Sequence, residues 1–271
     1  MSAPQNHMAT APCLLRGGIA FGHSDTGPVR QHNEDHFLID PRLELLAVAD
    51  GMGGHQAGAL ASALALESLR DCLTHQLAQL THTSSDPDAT CQVPSMRALS
   101  VLHEALEAVN TRLYAHNHTR QLSEDRGMGT TLTGIWRPQA GGPLLAFHVG
   151  DSRLYRYRHG ELEQLSRDQT WYQQALDAGH FDRLPARNVL LQAIGPALRV
   201  EPQVWVQAVQ PEDLLMLCSD GVHGCVPHHE MARVLEGAGR DNLAASSQRL
   251  IRLAAEYGGR DNATVVLVKF E

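Results

Sequence analysis

Apolar positions recur every three and four residues through 56–80 (QAGALASALALESLRDCLTHQLAQL) and again through 96–115 (MRALSVLHEALEAVNTRLYA). That spacing puts an apolar stripe on one side of an α-helix, and the Ala and Leu that dominate both runs are strong helix formers, so two long helices are predicted. Residues 81–95 between them have no period and are rich in Ser, Thr, Asp and Pro, which marks a surface loop. Elsewhere the pattern changes to short apolar or β-branched runs closed by Gly, Pro or Asp, at 43–50, 130–136, 143–151, 152–158, 203–208, 213–220 and 263–270. Residues 171–187 read as a helical excursion between strands, and 227–256 holds at least one further helix. Many strands, few helices and no regular β-α alternation predict an α+β fold with mainly antiparallel sheets. No repeat of the solenoid kind is present.

A length of 271 residues allows one large domain or two small ones, with ample chain for a hydrophobic core. The net charge of −8, without any Lys/Arg run, argues against nucleic-acid or polybasic membrane binding. The basic residues are 21 arginines and a single lysine, Lys269, in an apolar terminal run. This removes P-loop, kinase and Schiff-base chemistry, each of which needs a placed lysine. Five cysteines, Cys13, Cys72, Cys91, Cys218 and Cys225, form no C-x-x-C pair, as expected in a reducing compartment. With no transmembrane run and no signal-peptide pattern, a cytoplasmic location is expected.

Carboxylates mark the ends of the apolar runs: Asp50-Gly51, Asp151-Ser152 and Asp220-Gly221 follow strands, and Asp261-Asn262 precedes one. Turn chemistry alone explains any single pair. A further pair, Glu34-Asp35, leads into an apolar stretch. If these ends converge on one edge of a sandwich, the six carboxylates cannot all ionise without cations beside them. An oxygen-only ligand set favours Mg²⁺ or Mn²⁺ over zinc or copper. Two such ions about 3.5–4 Å apart activate water and stabilise in-line displacement at phosphorus. Hydrolysis of a phosphate ester is the chemistry this suggests. Arg30, four residues before Glu34, offers a guanidinium that can grip phosphate oxygens, although a lone Arg on a turn is ordinarily just solvated.

Six motifs in order now resemble the type 2C metal-dependent serine/threonine protein phosphatases (the PPM family), especially the compact bacterial form. They are SDTGPVRQHNED at 24–35, VADGMGGH at 48–55, GTTL at 129–132, VGDSR at 149–153, CSDG at 218–221 and GGRDNAT at 258–264. The resemblance implies two antiparallel sheets packed as a central sandwich, α-helices on both outer faces, and a dinuclear Mg²⁺/Mn²⁺ site at one end. By position, Asp50 resembles the carboxylate bridging both ions, with the Gly51 carbonyl on one of them. Asp220 and Asp261 resemble ligands of the other ion, Glu34 and Asp35 holders of metal-bound waters, and Arg30 the phosphate grip. His55 is a candidate to protonate the leaving alkoxide, a supporting place in the Gly-rich turn being the alternative. A third, weaker ion is implied at Asp151, but the second aspartate that relatives use for it is replaced by Gly224. The family's D-H-S is replaced by Asp168-Gln169-Thr170, and 171–187 is short for the flap that shapes substrate access. The expected organisation is an N-terminal extension at 1–16 and one catalytic domain over 17–271. The expected partners are phosphoproteins and the pathway of a cognate Ser/Thr kinase, with the chain acting as a monomer.

Three other readings compete. Cys91 to Arg97 satisfies the C-x5-R pattern of cysteine phosphatases, but 21 arginines make a chance match ordinary, and the segment lacks a preceding strand and phosphate-cradling glycines. A phosphatase-fold scaffold that binds phosphoproteins without turnover would have no need of an intact, self-repelling carboxylate set. RLYRYR at 153–158 could stack single-stranded nucleic acid, but alternation sends its tyrosines and its last two arginines to opposite faces of an ordinary strand. His148 reads as a strand histidine and His228-His229 as a loop pair without nearby acids.

Overall fold

The computed structural model describes residues 7–53, 56–82, 94–119 and 127–271. Thirteen strands lie among them: His7–Ala9 (β1), Cys13–Leu15 (β2), Gly18–Asp25 (β3), Asp35–Asp40 (β4), Leu45–Met52 (β5), Gly129–Thr130 (β6), Leu132–Trp136 (β7), Leu144–Val149 (β8), Arg153–Arg158 (β9), Glu161–Gln164 (β10), Gln203–Gln207 (β11), Leu214–Cys218 (β12) and Ala263–Phe270 (β13). The helices are Gln56–His82 (α1), Pro94–Thr119 (α2), Trp171–Asp177 (α3), Asp220–His223 (α4), His228–Glu236 (α5) and Leu243–Glu256 (α6).

Period-two alternation sorts the side chains of each strand between two layers. In β5, Leu45, Ala47 and Ala49 face α1 and α2, while Leu46 and Val48 face the other sheet. In β12, Leu214, Met216 and Cys218 face α5 and α6, while Leu215 and Leu217 point between the sheets. The result is three cores: helix against sheet, sheet against sheet, and sheet against helix. One sheet runs β1-β3-β13-β12-β9-β10 with β2 also on β3; the other runs β11-β8-β7-β5-β4 with β6 on β5. The pairings are antiparallel. This is the α/β/β/α sandwich that the resemblance implies.

Within the expected 1–16 extension, β1 and β2 pair with β3, each too short to show a period in the sequence. Three readings are corrected in detail. The helix expected over 171–187 ends at Asp177, where Gly179 turns the chain with φ +75°. Pro94 and Ser95, placed in the loop, begin α2, and 83–93 lie outside the described residues, Cys91 among them. His228 and His229 open α5 rather than a loop, and His229 stands 3.7 Å from Glu230. The 153–158 strand behaves as alternation demands: Tyr155 is buried in the core, and Arg156 and Arg158 pair with Glu163 and Asp213.

Candidate metal centre

The predicted carboxylates come from both sheets and meet at one edge of the sandwich. Asp35 opens β4 and is the register partner of Asp50 in β5. Asp151 follows β8 across Gly150, whose φ of +103° supplies the turn. Asp220 begins α4 just after β12, and Asp261 precedes β13. A cleft of about 610 Å³ is lined by Arg30, Glu34, Asp50, Asp151, Asp220 and Asp261, with Asp35 buried behind it.

The backbone around these acids is fastened by polar groups inside otherwise apolar strands. The Asp50 N–H donates to Thr131 Oγ1 (2.9 Å), and the Asp50 carbonyl accepts from Thr130 Oγ1 and the Thr131 N–H, both at 2.9 Å. The Gly51 N–H donates to the Glu34 carbonyl at 3.2 Å. A Cβ on Gly51 would lie 2.1 Å from the Gly58 carbonyl oxygen, and one on Gly58 would lie 2.2 Å from Glu34 Oε2. Only glycines let the start of α1 approach β5 this closely. Ser219 and Thr264 hydroxyls each donate to Asp35 Oδ2 at 2.7 Å. Asn262 ties the segment carrying Arg30 and Glu34: its Nδ2 donates to the carbonyls of Thr26 and His32, and its Oδ1 accepts from the Glu34 N–H. Gln169 locks Gly150 from both sides, its Oε1 accepting from the Gly150 N–H (2.9 Å) and its own N–H donating to the Gly150 carbonyl (2.7 Å). His223 Nε2 sits 2.9 Å from the Asp151 carbonyl.

Electrostatics in the cleft follow from crowding partly buried acids together. Burial pushes Asp35 up to about 7 despite its two hydroxyl donors, with Asp220 and Asp261 adding to the rise. Asp50 is held well above the carboxylate range by burial and by Asp35, Asp220, Asp151 and Asp261. Asp151 is raised to about 7 by burial, then by Asp220 and Asp168. Asp220 is raised by burial and by Asp261, while a hydrogen bond with Asp50 opposes the shift. Crowding and burial thus disfavour the ionised forms together, a cost that a divalent cation beside them would offset. The acidic donors are all oxygen, Gly51 lines the cleft beside them, and the residues fit hard divalent ions. Among the described residues no group of three or more His, Cys, Asp or Glu side chains forms a finished ligand set, so the carboxylates share a cleft without yet closing on a point.

Of the residues predicted from the sequence, Arg30, Glu34, Asp50, Gly51, Asp151, Asp220 and Asp261 share the cleft, and Asp35 supports it from beneath. His55 lies outside the described residues. Arg30 is engaged, its Nη2 donating to Asp261 Oδ2 at 2.7 Å. Partial burial works against its charge, but that bond and the field of Glu34 and Asp50 hold it protonated. The bracing roles of Asn262, Gln169, Ser219 and Thr264 escaped the sequence reading. Their only signal is a polar residue where an apolar run would continue or end.

Comparison with known proteins agrees with this arrangement. The family described as Protein phosphatase 2C matches residues 23–262. The serine/threonine phosphatase stp of Listeria monocytogenes is 32% identical over 254 residues, covering 91% of this chain and 93% of that protein. PstP of Mycobacterium tuberculosis is 37% identical over 265 residues, 96% of this chain but 46% of its own length. The solved catalytic domain of PstP in complex with two manganese ions superposes with a TM-score of 0.73 at 34% identity, covering 92% of this chain and 96% of that one. A match over most of the sequence, the same sandwich, and the predicted carboxylates in one cleft lead to one assignment: the chain belongs to the protein phosphatase 2C family.

Proposed function

We propose that this protein hydrolyses phosphoserine and phosphothreonine in proteins with the help of divalent cations, opposing a Ser/Thr kinase of the same cell. The observation that carries the reading is the convergence of Glu34, Asp50, Asp151, Asp220 and Asp261 on one cleft, over a buried Asp35. A scaffold has no use for five repelling acids in one place. PstP, solved with two manganese ions, supports a two-ion site held by these residues.

Asp50 and the Gly51 carbonyl would hold one ion, Asp50 would share the second, and Asp220 and Asp261 would complete it, whether Mn²⁺ or Mg²⁺. Such ions supply positive charge against the phosphoryl oxygens and a water acidic enough to attack phosphorus near neutral pH. Glu34 and Asp35 would accept hydrogen bonds from waters on those ions. Ser219 and Thr264 fix one oxygen of Asp35 by donating to it. Arg30 presents forked donors to two phosphoryl oxygens once Asp261 serves as a ligand. Gly224 caps α4 without a side chain to offer, so a third ion at Asp151 would be the weakest held. His55 stays the candidate acid on sequence grounds alone. The protein is read as a monomer acting in the cytoplasm; the free thiols Cys13, Cys72, Cys218 and Cys225 fit a reducing compartment. No described helix is long and apolar enough to cross a membrane.

The test is phosphate release from matched phosphoserine, phosphothreonine and phosphotyrosine peptides with Mn²⁺ present. Turnover of the first two is expected, with a large fall in Asp220→Asn, which removes a charge that would hold cations. Release no faster than in that variant would favour a binding scaffold.

A further inference from the structure

The cleft holds a second cation that the phosphate chemistry does not use. Among the described residues lining it, Arg30 and Arg199 are the only positive side chains. Arg30 is paired with Asp261, whereas Arg199 is exposed and makes no hydrogen bond or ion pair with any described residue. Arg199 therefore lines the same cleft as five carboxylates and pairs with none of them.

That backbone is fastened from below. Asn110 of α2, buried, accepts from the Gly195 N–H at 2.8 Å and donates to the carbonyls of Ala197 and Leu198 at 3.0 and 3.3 Å. Asn117, one further α2 side chain, donates to the Gly195 carbonyl at 3.0 Å. Ile194 is bridged to Thr130 in both directions, and Val200 is buried in the core under α1 and α2. The turn from Ile194 to Val200 is thus anchored at both ends and in the middle, and Arg199 projects from it on the exposed side. The neighbouring wall of the cleft mixes apolar Val189, Leu190, Pro196 and Ala197 with Asn188 and Gln192. A volume of about 610 Å³ lies in the range that encloses a whole small ligand, more than one phosphorylated side chain fills.

We propose that Arg199 is a specificity-determining residue that binds an oxyanion flanking the phosphorylated residue of the substrate, either an acidic side chain or a second phosphoryl group. The inference rests on the hydrolase reading above and extends it to substrate choice. A guanidinium takes a carboxylate or a phosphoryl group through the same forked donors, and a pre-fixed backbone reduces the ordering that binding requires. An acidic substrate entering an acid-lined cleft needs such a receptor at the rim, since like charges suppress wrong partners.

The experiment measures kcat/KM on phosphothreonine peptides that differ only in one flanking residue: alanine, aspartate, lysine or a non-hydrolysable phosphonate, scanned through both sides. Binding of the same set is followed by fluorescence anisotropy. Wild-type protein is expected to favour an anionic residue over alanine by about tenfold at one position, mostly through KM, with the aspartate and phosphonate arms separating the two sources. Arg199→Ala should bring that ratio to near one, Arg199→Lys should keep part of it, and Arg199→Glu should turn the preference toward lysine at the same position. An unchanged ratio in all three variants, or no anionic preference in the wild type, overturns the proposal. If no peptide is turned over, the hydrolase reading fails, and the anisotropy preference still decides the role of Arg199.

Discussion

His148 shows how a single buried polar group sets a pH response. It lies in β8 with no exposure, its Nδ1 is 2.8 Å from Thr133 Oγ1, and its Nε2 has no hydrogen-bond partner among the described residues. Burial drives its pKa down to about 4, outweighing the pull of Asp168 and of backbone groups at Arg167 and Gly150. The unfolded value is about 6.5, so the folded pKa is the depressed one. Its contribution to stability is fully present above about pH 6.5 and is lost as pH falls toward 4, because the unfolded chain takes up a proton that the folded one refuses. In His148→Phe, urea unfolding should show a flatter fall between those pH values, by up to about 1.4 kcal/mol for each pKa unit removed. Little should change at pH 8, since the Thr133 hydroxyl still donates to the Ser152 carbonyl. An identical acid slope in both proteins would contradict this. Asn262 has the opposite character, being buried with every polar atom used, so Asn262→Ala should cost about 1–3 kcal/mol in urea unfolding and lower kcat/KM by loosening Arg30 and Glu34.

At the scale of elements, the approach of α1 to β5 positions Glu34, and glycine makes it possible. Gly58→Ala places a methyl group 2.2 Å from Glu34 Oε2, so the carboxylate must move. Calorimetric Mn²⁺ titration should show roughly tenfold weaker binding, the size of effect typical of groups that orient ligands; unchanged affinity would argue against the proposed role of Glu34 at a metal site. The same elements show what a sequence reveals. The two long helices and β13 were legible because their periods run for many residues. β3 was not, because Gly18, Gly22, His23 and Ser24 break its apolar run, yet Gly22 is needed where a Cβ would lie 2.3 Å from the Phe37 ring. β1, β2 and β10 are too short to carry a period. At the centre, Asp50, Asp151, Asp220 and Asp261 stood out as acids at strand ends. Asn110, Asn262 and Gln169 did not, because what they hold is distant in sequence and only the fold brings it to them.

For the whole molecule, the sandwich brings repelling carboxylates from two sheets together, and a cation that binds only the folded arrangement stabilises it. At a hundred times its dissociation constant, a metal adds about 2.7 kcal/mol, or roughly 5–10 °C in Tm for a chain of this size, reversible with chelator. Thermal unfolding in Mn²⁺ and in EDTA checks this, and equal midpoints would argue against a metal site in the native state. The most direct test of the central claim is equilibrium dialysis of chelator-stripped protein against Mn²⁺, counting tightly bound ions per chain in wild type and in Asp50→Ala. The account predicts two ions in the wild type and loss of tight binding in the variant. No tight binding in the wild type, or the same count in Asp50→Ala, would contradict it.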